Sequence, residues 1–226
     1  MANNYGILFD LDGTLVNNEH LKALAFSKAI ERLGGKSDPS IYEKVLGMSG
    51  PIIRKRFIIK SGIQVDSDEY FELYKSIYED LIKARLEIRP GVISFLDDLK
   101  SAGFKLAVVS SAYQDIVNWI IEKSGVFKFI DTTITGNDVI NKKPAPDCFL
   151  LALEIMNLSQ GNVVVFEDTG VGLQAANSAG IIALGIRHSY NQSHDFSTAY
   201  SEYSSFEKEI KMMKRDLNQI FDEAIL

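Results

Sequence analysis

After Arg89-Pro90-Gly91 the apolar residues change period again and again. Helical spacing over 92–102, 113–123, 146–157 and 171–179 alternates with compact apolar runs at 104–109, 129–135, 162–166 and 181–185. Runs that short and that apolar read as strands buried on both faces, and a helix between each pair supplies the crossover that parallel strands require. The chain is therefore expected to fold as α/β, with a parallel sheet covered by helices on both faces. Tyr5-Gly6-Ile7-Leu8-Phe9 has the same character and joins that sheet as its first strand.

Between this first strand and Arg89 the pattern is helical throughout. Leu21, Leu24, Ala25, Ile30 and Leu33 follow helical spacing over 19–33, and Gly34-Gly35 supplies a stop. Further helices are expected at 41–46, 51–60 and 67–86, the last carrying Tyr70, Phe71, Tyr74, Ile77, Tyr78, Leu81 and Ile82. Residues 17–86 thus read as a helical cap inserted into a discontinuous core of 1–16 and 87–226. Residues 189–205 are polar and turn-rich, and Phe206, Ile210, Met213, Leu217 and Phe221 form a terminal helical stripe. Core packing is the favoured reading of that stripe, with a partner-binding helix as the alternative.

At 226 residues and 46% hydrophobic composition the chain can build a substantial core without staples. Its one cysteine, Cys148, excludes an internal disulfide framework and reads as inert core. No apolar stretch approaches the roughly 20 residues that span a bilayer, and Met1-Ala2-Asn3-Asn4 lacks a basic segment leading into an apolar signal core. A cytoplasmic protein with no membrane partner is expected. Net charge −6 argues against extended contact with nucleic-acid backbone while leaving room for a small phosphorylated metabolite. The expected state is a monomer or weak homodimer.

Two strands end in acids. The first runs into Asp10-Leu11-Asp12-Gly13-Thr14, and Val163-Val164-Val165-Phe166 runs into Glu167-Asp168. Ligands of open α/β sheets gather beyond the carboxyl ends of strands, so both acidic pairs can meet at one rim, where they need a cation. Asp10 is the candidate nucleophile toward phosphorus, its attack yielding an aspartyl phosphate, and Asp12 can exchange a proton with leaving group or water. Asp168 is the preferred direct ligand of Mg²⁺, with Glu167 either a ligand or an acceptor behind it. Ser110, with Ser111 beside it, follows Val108-Val109 at another strand end, where a hydroxyl and backbone N–H groups can hold phosphate oxygens. For Ser110 alone a helix N-cap is the competing reading. Lys143, in Lys142-Lys143-Pro144-Ala145-Pro146-Asp147, sits in a proline-restricted loop that could aim its amine at the nucleophile and the phosphoryl group.

This ordered set of four motifs resembles the haloacid dehalogenase-like hydrolase superfamily over residues 5–187. The insertion after the first motif is similar to the cap of the β-phosphoglucomutase and phosphoglycolate phosphatase branch. The resemblance implies a Rossmann-like core, Mg²⁺ dependence and an aspartyl-phosphate intermediate. It makes Asp10 nucleophile and metal ligand, and Asp12 general acid/base with its main-chain carbonyl on the metal. Ser110 and Lys143 become phosphate binders, and Asp168 a metal ligand. The second acid, Asp12, separates the chain from the dehalogenases of the superfamily and favours phosphoryl transfer.

Two departures bear on substrate. Mutase-type relatives commonly carry Asp-Ser-Glu-Pro-Leu-His after the first motif; here the segment is Asn17-Asn18-Glu19-His20-Leu21-Lys22, with Lys22 at the histidine position. The arginine that grips a second phosphate in the mutase cap is replaced by Gly50-Pro51 after Gly47-Met48-Ser49, and Arg54 does not match its position. Hydrolysis of a small phosphorylated metabolite is therefore expected over a phosphosugar mutase, with an inactive metabolite-binding or interaction protein as a third reading. His20, Lys22, Met48, Arg54 and Tyr74 read first as cap packing or solvated residues.

Overall fold

The computed structural model describes residues 4–48, 50–222 and 226; Met1-Ala2-Asn3 and Ser49 of the Gly47-Met48-Ser49 segment lie outside them. Six parallel strands form one sheet in the order β3-β2-β1-β4-β5-β6. They are β1 (Gly6–Phe9), β2 (Lys105–Val109), β3 (Thr132–Ile134), β4 (Val163–Glu167), β5 (Ile182–Ile186) and β6 (Glu202–Tyr203). Strand β1 is central, pairing Phe9 with Val108 of β2 on one side and with Phe166 of β4 on the other. Its four residues are all buried, as a strand covered on both faces requires.

The helices are α1 (Glu19–Arg32), α2 (Gly50–Ser61), α3 (Ser67–Arg85), α4 (Val92–Ser101), α5 (Gln114–Lys123), α6 (Asp147–Met156), α7 (Gly170–Ser178) and α8 (Phe206–Ile220). The core divides into two apolar clusters, the arrangement expected when helices cover both faces of a sheet. Phe9, Phe95 and Phe166 fall in one, and Leu8, Val109, Phe149 and Val165 in the other. Alternating residues of β1 supply both, because successive side chains of a strand point to opposite faces. Phe9 stacks on Phe166 with ring centroids 5.2 Å apart and meets Phe95 edge-on at 6.4 Å, which ties β1 and β4 to α4.

Helices α1 to α3 lie between β1 and α4, so the sheet carries an inserted helical segment. The chain leaves and re-enters side by side: Val16 bridges Ile88, Asn17 N donates to Glu87 O at 2.8 Å, and Arg89 N donates to Leu15 O at 3.0 Å. Within the insertion, Phe26 of α1 stacks on Phe57 of α2 and on Tyr74 of α3, and the Tyr70 hydroxyl donates to Phe26 O at 2.9 Å.

The structure corrects several expected elements. Residues 41–46 lie largely within a 3₁₀ turn, Pro39–Lys44, started by Asp38, which accepts from Ser40 N. The strand expected at 129–135 shrinks to Thr132–Ile134, because Val126–Phe129 closes into another 3₁₀ turn. The turn-rich 189–205 segment conceals β6, two residues that pair with Gly185 and Ile186. The terminal stripe packs inward, with Phe206, Met213 and Leu217 buried, and Cys148 is buried as well. Among the described residues no helix is long and apolar enough to cross a membrane.

Candidate active site

Strand register brings the acids together. Since Phe9 pairs with Phe166, the residues after them, Asp10 and Glu167, leave the sheet as neighbours, and Asp10 N donates to Phe166 O at 2.9 Å. Lys143 arrives from the loop before α6 and binds both acids. Its Nζ lies 2.8 Å from Asp10 Oδ1 and 2.7 Å from Glu167 Oε1, and it donates to Val109 O at 3.0 Å. Those three acceptors use the three hydrogens of the ammonium. The peptide between Lys143 and Pro144 is cis.

Glu167 is 1% exposed and fully engaged: Oε1 accepts from Lys143, and Oε2 from the backbone N and hydroxyl of Thr169. Thr169 Oγ1 in turn accepts from Gly172 N and caps α7. Gly172 has to be glycine, because a Cβ there would run into the Glu167 carboxylate. Asp168 turns the other way. Its Oδ2 meets His188 Nε2 at 2.8 Å, and its backbone oxygen accepts from Asn191 Nδ2 at 2.7 Å.

Asp12 is held by the inserted helices. Asn18 Nδ2 donates to its Oδ1, and Lys22 Nζ lies 3.0 Å from its Oδ2. Lys22 also pairs with Glu19 at 2.8 Å, and Glu19 accepts the Tyr42 hydroxyl at 2.7 Å. Gly13, at φ +80°, turns the chain after Asp12, and Arg89 Nη1 donates to its carbonyl at 2.9 Å. Ser110 is buried at the end of β2, its Oγ accepting from Ala112 N at 3.1 Å. The cap of α5 is Tyr113, so the N-cap reading of Ser110 does not hold. Ser111 is exposed beside it, and Lys142 instead reaches the carbonyls of Gly136 and Val139. His20 sits half-buried on the first turn of α1.

The electrostatics follow from crowding acids in a buried rim. Burial pushes the Asp10 carboxyl well above the ordinary range; Lys143 opposes this, while Glu167, Asp168 and Asp12 add to it. Burial raises Asp168 likewise, with Glu167 and Glu19 adding and Lys22 and Lys143 opposing. Burial works against the Lys143 ammonium, but Asp10 and Glu167 outweigh it and hold the charge more firmly than in an ordinary lysine. Burial takes His188 down to about 4, Glu19 opposing and Arg89 and Lys22 contributing.

A divalent cation suits this donor set. Asp10 and Asp168 are hard oxygen donors whose charged forms are disfavoured chiefly by burial and by neighbouring acids, and Mg²⁺ needs only one or two carboxylates when waters and a substrate phosphate complete its shell. The buried Thr14 Oγ1 and Asn18 Oδ1 have no hydrogen-bond partner, which marks the neighbourhood of Asp12 as incompletely satisfied. Among the described residues no three acidic, histidine or cysteine side chains are drawn together as a cage.

His188, Asn191, Asn18, Tyr42 and Arg89 escaped sequence reasoning. Each reaches the site through a tertiary contact, and none stands in a motif that marks it.

Residues 7–186 match the family described as Haloacid dehalogenase-like hydrolase. A phosphorylated carbohydrates phosphatase of Thermotoga maritima is 32% identical over 190 residues, covering 82% of this chain and 86% of that one. A phosphoglycolate phosphatase of Aquifex aeolicus is 30% identical over 175 residues, covering 77% and 80%. The crystal structure of CbbY from Rhodobacter sphaeroides in complex with phosphate superposes with a TM-score of 0.78 at 26% identity, covering 91% of this chain and 96% of that one. With a family match across most of its length and a relative above 30% identity over the same region, this chain belongs to the haloacid dehalogenase-like hydrolases.

Proposed function

We propose that the protein is a Mg²⁺-dependent phosphatase that hydrolyses a small phosphorylated metabolite through an aspartyl phosphate on Asp10. The observation that carries this reading is the convergence of Asp10, Lys143, Glu167 and Asp168 at the carboxyl ends of β1 and β4, with Asp12 two residues on from Asp10 and near enough to act on its charge. Relatives named as phosphatases of phosphorylated carbohydrates and of phosphoglycolate support the substrate class.

Asp10 and Asp168 would hold the cation, with the main-chain carbonyl of Asp12; when bound, Mg²⁺ would neutralise phosphoryl charge and fix the phosphate in line. Asp10 attacks phosphorus, the bond from phosphorus to the ester oxygen breaks, and Asp12 delivers a proton to that oxygen. Asp12 then takes a proton from water, which attacks the aspartyl phosphate, releases phosphate and restores Asp10. Lys143 opposes the burial that disfavours the Asp10 anion and adds positive charge at the rim. Glu167, with both oxygens hydrogen-bonded, serves as the anchor of Lys143 rather than as a ligand. Ser110 and Ser111 border the phosphate position. Residues 17–86 act as a cap over residues 1–16 and 87–226, excluding water during the first transfer.

Hydrolysis is favoured over mutase chemistry because Arg54 is engaged inside the insertion. It faces Asp68 at 3.3 Å and the ring of Phe71 at 4.4 Å, so it is already engaged and does not stand as a clamp for a second phosphate. Phosphate release from a panel of phosphorylated metabolites and a general aryl phosphate, with and without Mg²⁺, tests the proposal. Release that depends on Mg²⁺ and disappears in Asp10→Asn is expected. Equal rates for the two proteins would remove Asp10 from the mechanism, and isomerised sugar phosphate from a sugar 1-phosphate would mean a mutase.

A further inference from the structure

The geometry points to His188 as the residue that positions Asp168 for the cation, a role resting on the metal-dependent reading above. The ring has a defined tautomer. Tyr190 N donates to His188 Nδ1 at 3.2 Å, so Nδ1 carries the lone pair and Nε2 carries the hydrogen. That hydrogen is given to Asp168 Oδ2 across 2.8 Å. One carboxylate oxygen is thereby fixed from behind, and among the described residues no hydrogen bond reaches the other, Oδ1.

The loop that presents His188 is built for this placement. Asn191, fully buried, accepts from His188 N at 2.9 Å through Oδ1 and donates through Nδ2 to Asp168 O at 2.7 Å and Ile186 O at 2.8 Å. Histidine and aspartate are thus stapled main chain to main chain as well as side chain to side chain. Arg187 closes the far end of the loop, donating to Asn191 O and His194 O at 3.0 and 3.1 Å and stacking on Phe196 at 3.6 Å.

Gly13 covers the opposite side of the pair. A Cβ at this position would run into Asp168 Oδ2 and would come within 2.9 Å of His188 Nε2. The turn carrying Asp10 and Asp12 therefore rests directly on the His188–Asp168 hydrogen bond, and Arg89 pins it there through the Gly13 carbonyl and through Arg187 O and Ser204 O. The hydrogen bond sets both the orientation of Asp168 and its spacing from the nucleophile turn. Partners that orient a ligand in this way are typically worth about 10- to 100-fold in metal affinity.

Titration calorimetry with Mg²⁺ on the full chain tests this without turnover. His188→Leu is expected to weaken Mg²⁺ binding by about 10- to 100-fold. His188→Gln, whose amide N–H reaches toward the place of Nε2, is expected to recover most of it. Thermal unfolding in EDTA, compared with unfolding in excess Mg²⁺, gives a second readout: the stabilisation by Mg²⁺ should shrink in the leucine variant and return in the glutamine variant. Wild-type affinity in His188→Leu, or equal losses in both variants, would overturn the positioning role. Absence of Mg²⁺ binding by the wild-type protein would instead overturn the metal-dependent reading on which it rests.

Discussion

Lys22 Nζ stands 3.0 Å from Asp12 Oδ2, joining the first inserted helix to the turn that follows β1. With Asn18 on the other oxygen, both oxygens of Asp12 are held by residues of the inserted side. The orientation of the proposed general acid therefore depends on where α1 sits. Burial works against the Lys22 ammonium, but Asp12 and Glu19 outweigh it and keep it charged well beyond the ordinary range. Lys22→Met should lower kcat by up to about 100-fold, a part of what a positioned acid contributes, with KM little changed. It also leaves Glu19 buried beside Tyr42 without its cation. The double variant K22M/E19Q should recover the urea midpoint while kcat stays low; recovery of both would make the pair purely structural.

Close packing behind Glu167 gives a second prediction. Gly172→Ala places a methyl against the Glu167 carboxylate, which Thr169 and Lys143 hold in place, so the acid must leave Lys143. A destabilisation of about 1–3 kcal/mol is expected from overpacking, together with a loss of phosphate release. A Cβ added at Gly161 would meet no described atom within 4 Å, and Gly161→Ala should leave both properties unchanged. Unfolding in urea and the phosphatase assay, run on the same preparations, check the contrast.

Much of this architecture is legible in the sequence because buried parallel strands announce themselves. Val163 to Phe166 is all apolar, ends in two acids, and lies where the alternation requires a strand. Asp10, Glu167 and Asp168 stand out for the same reason, each following the end of such a run, whereas Lys143 stands out through the prolines that restrict its loop. Strand β6 left no trace, since Glu202 and Tyr203 pair with β5 inside a polar stretch too short to show a period. His188 and Asn191 were equally silent. Their importance comes from a loop folded back on Asp168, stabilised by contacts that no local pattern encodes. Lys22 was visible as an odd residue at a familiar place, but its partner Asp12 was not deducible without coordinates.

Lys143 is the only cation touching Asp10 and Glu167 among the described residues, and its side chain is 6% exposed. Removing it leaves two buried acids without a countercharge, a change that typically costs about 3–5 kcal/mol. Lys143→Met should therefore fall by about that amount in urea unfolding and lose phosphate release. Adding Glu167→Gln to Lys143→Met removes one of the stranded charges and should return part of the stability with no return of activity. If the double variant is as unstable as the single, charge burial is not the cause.

Far from the rim, Asp216 of α8 supplies a pH dependence of known sign. Its Oδ2 accepts from the hydroxyls of Tyr203 at 2.5 Å and Ser201 at 2.7 Å, and its Oδ1 from Arg215 at 2.8 Å. Burial alone would raise this carboxyl; the Tyr203, Ser201 and Arg215 hydrogen bonds outweigh it and hold the group below the ordinary aspartate range. In the unfolded chain those partners are lost and the carboxyl returns to about 3.9. The folded state then binds the proton less readily than the unfolded state, so the stabilisation is full above the unfolded value and is lost as pH falls through the folded one. Asp216→Asn keeps the shape and removes the charge. Its urea midpoint should lie below wild type from pH 7 to pH 5, and the gap should narrow steadily as pH drops below about 4. A gap of constant size down to pH 3 would show that the link from β6 to α8 owes nothing to the ionised form of Asp216.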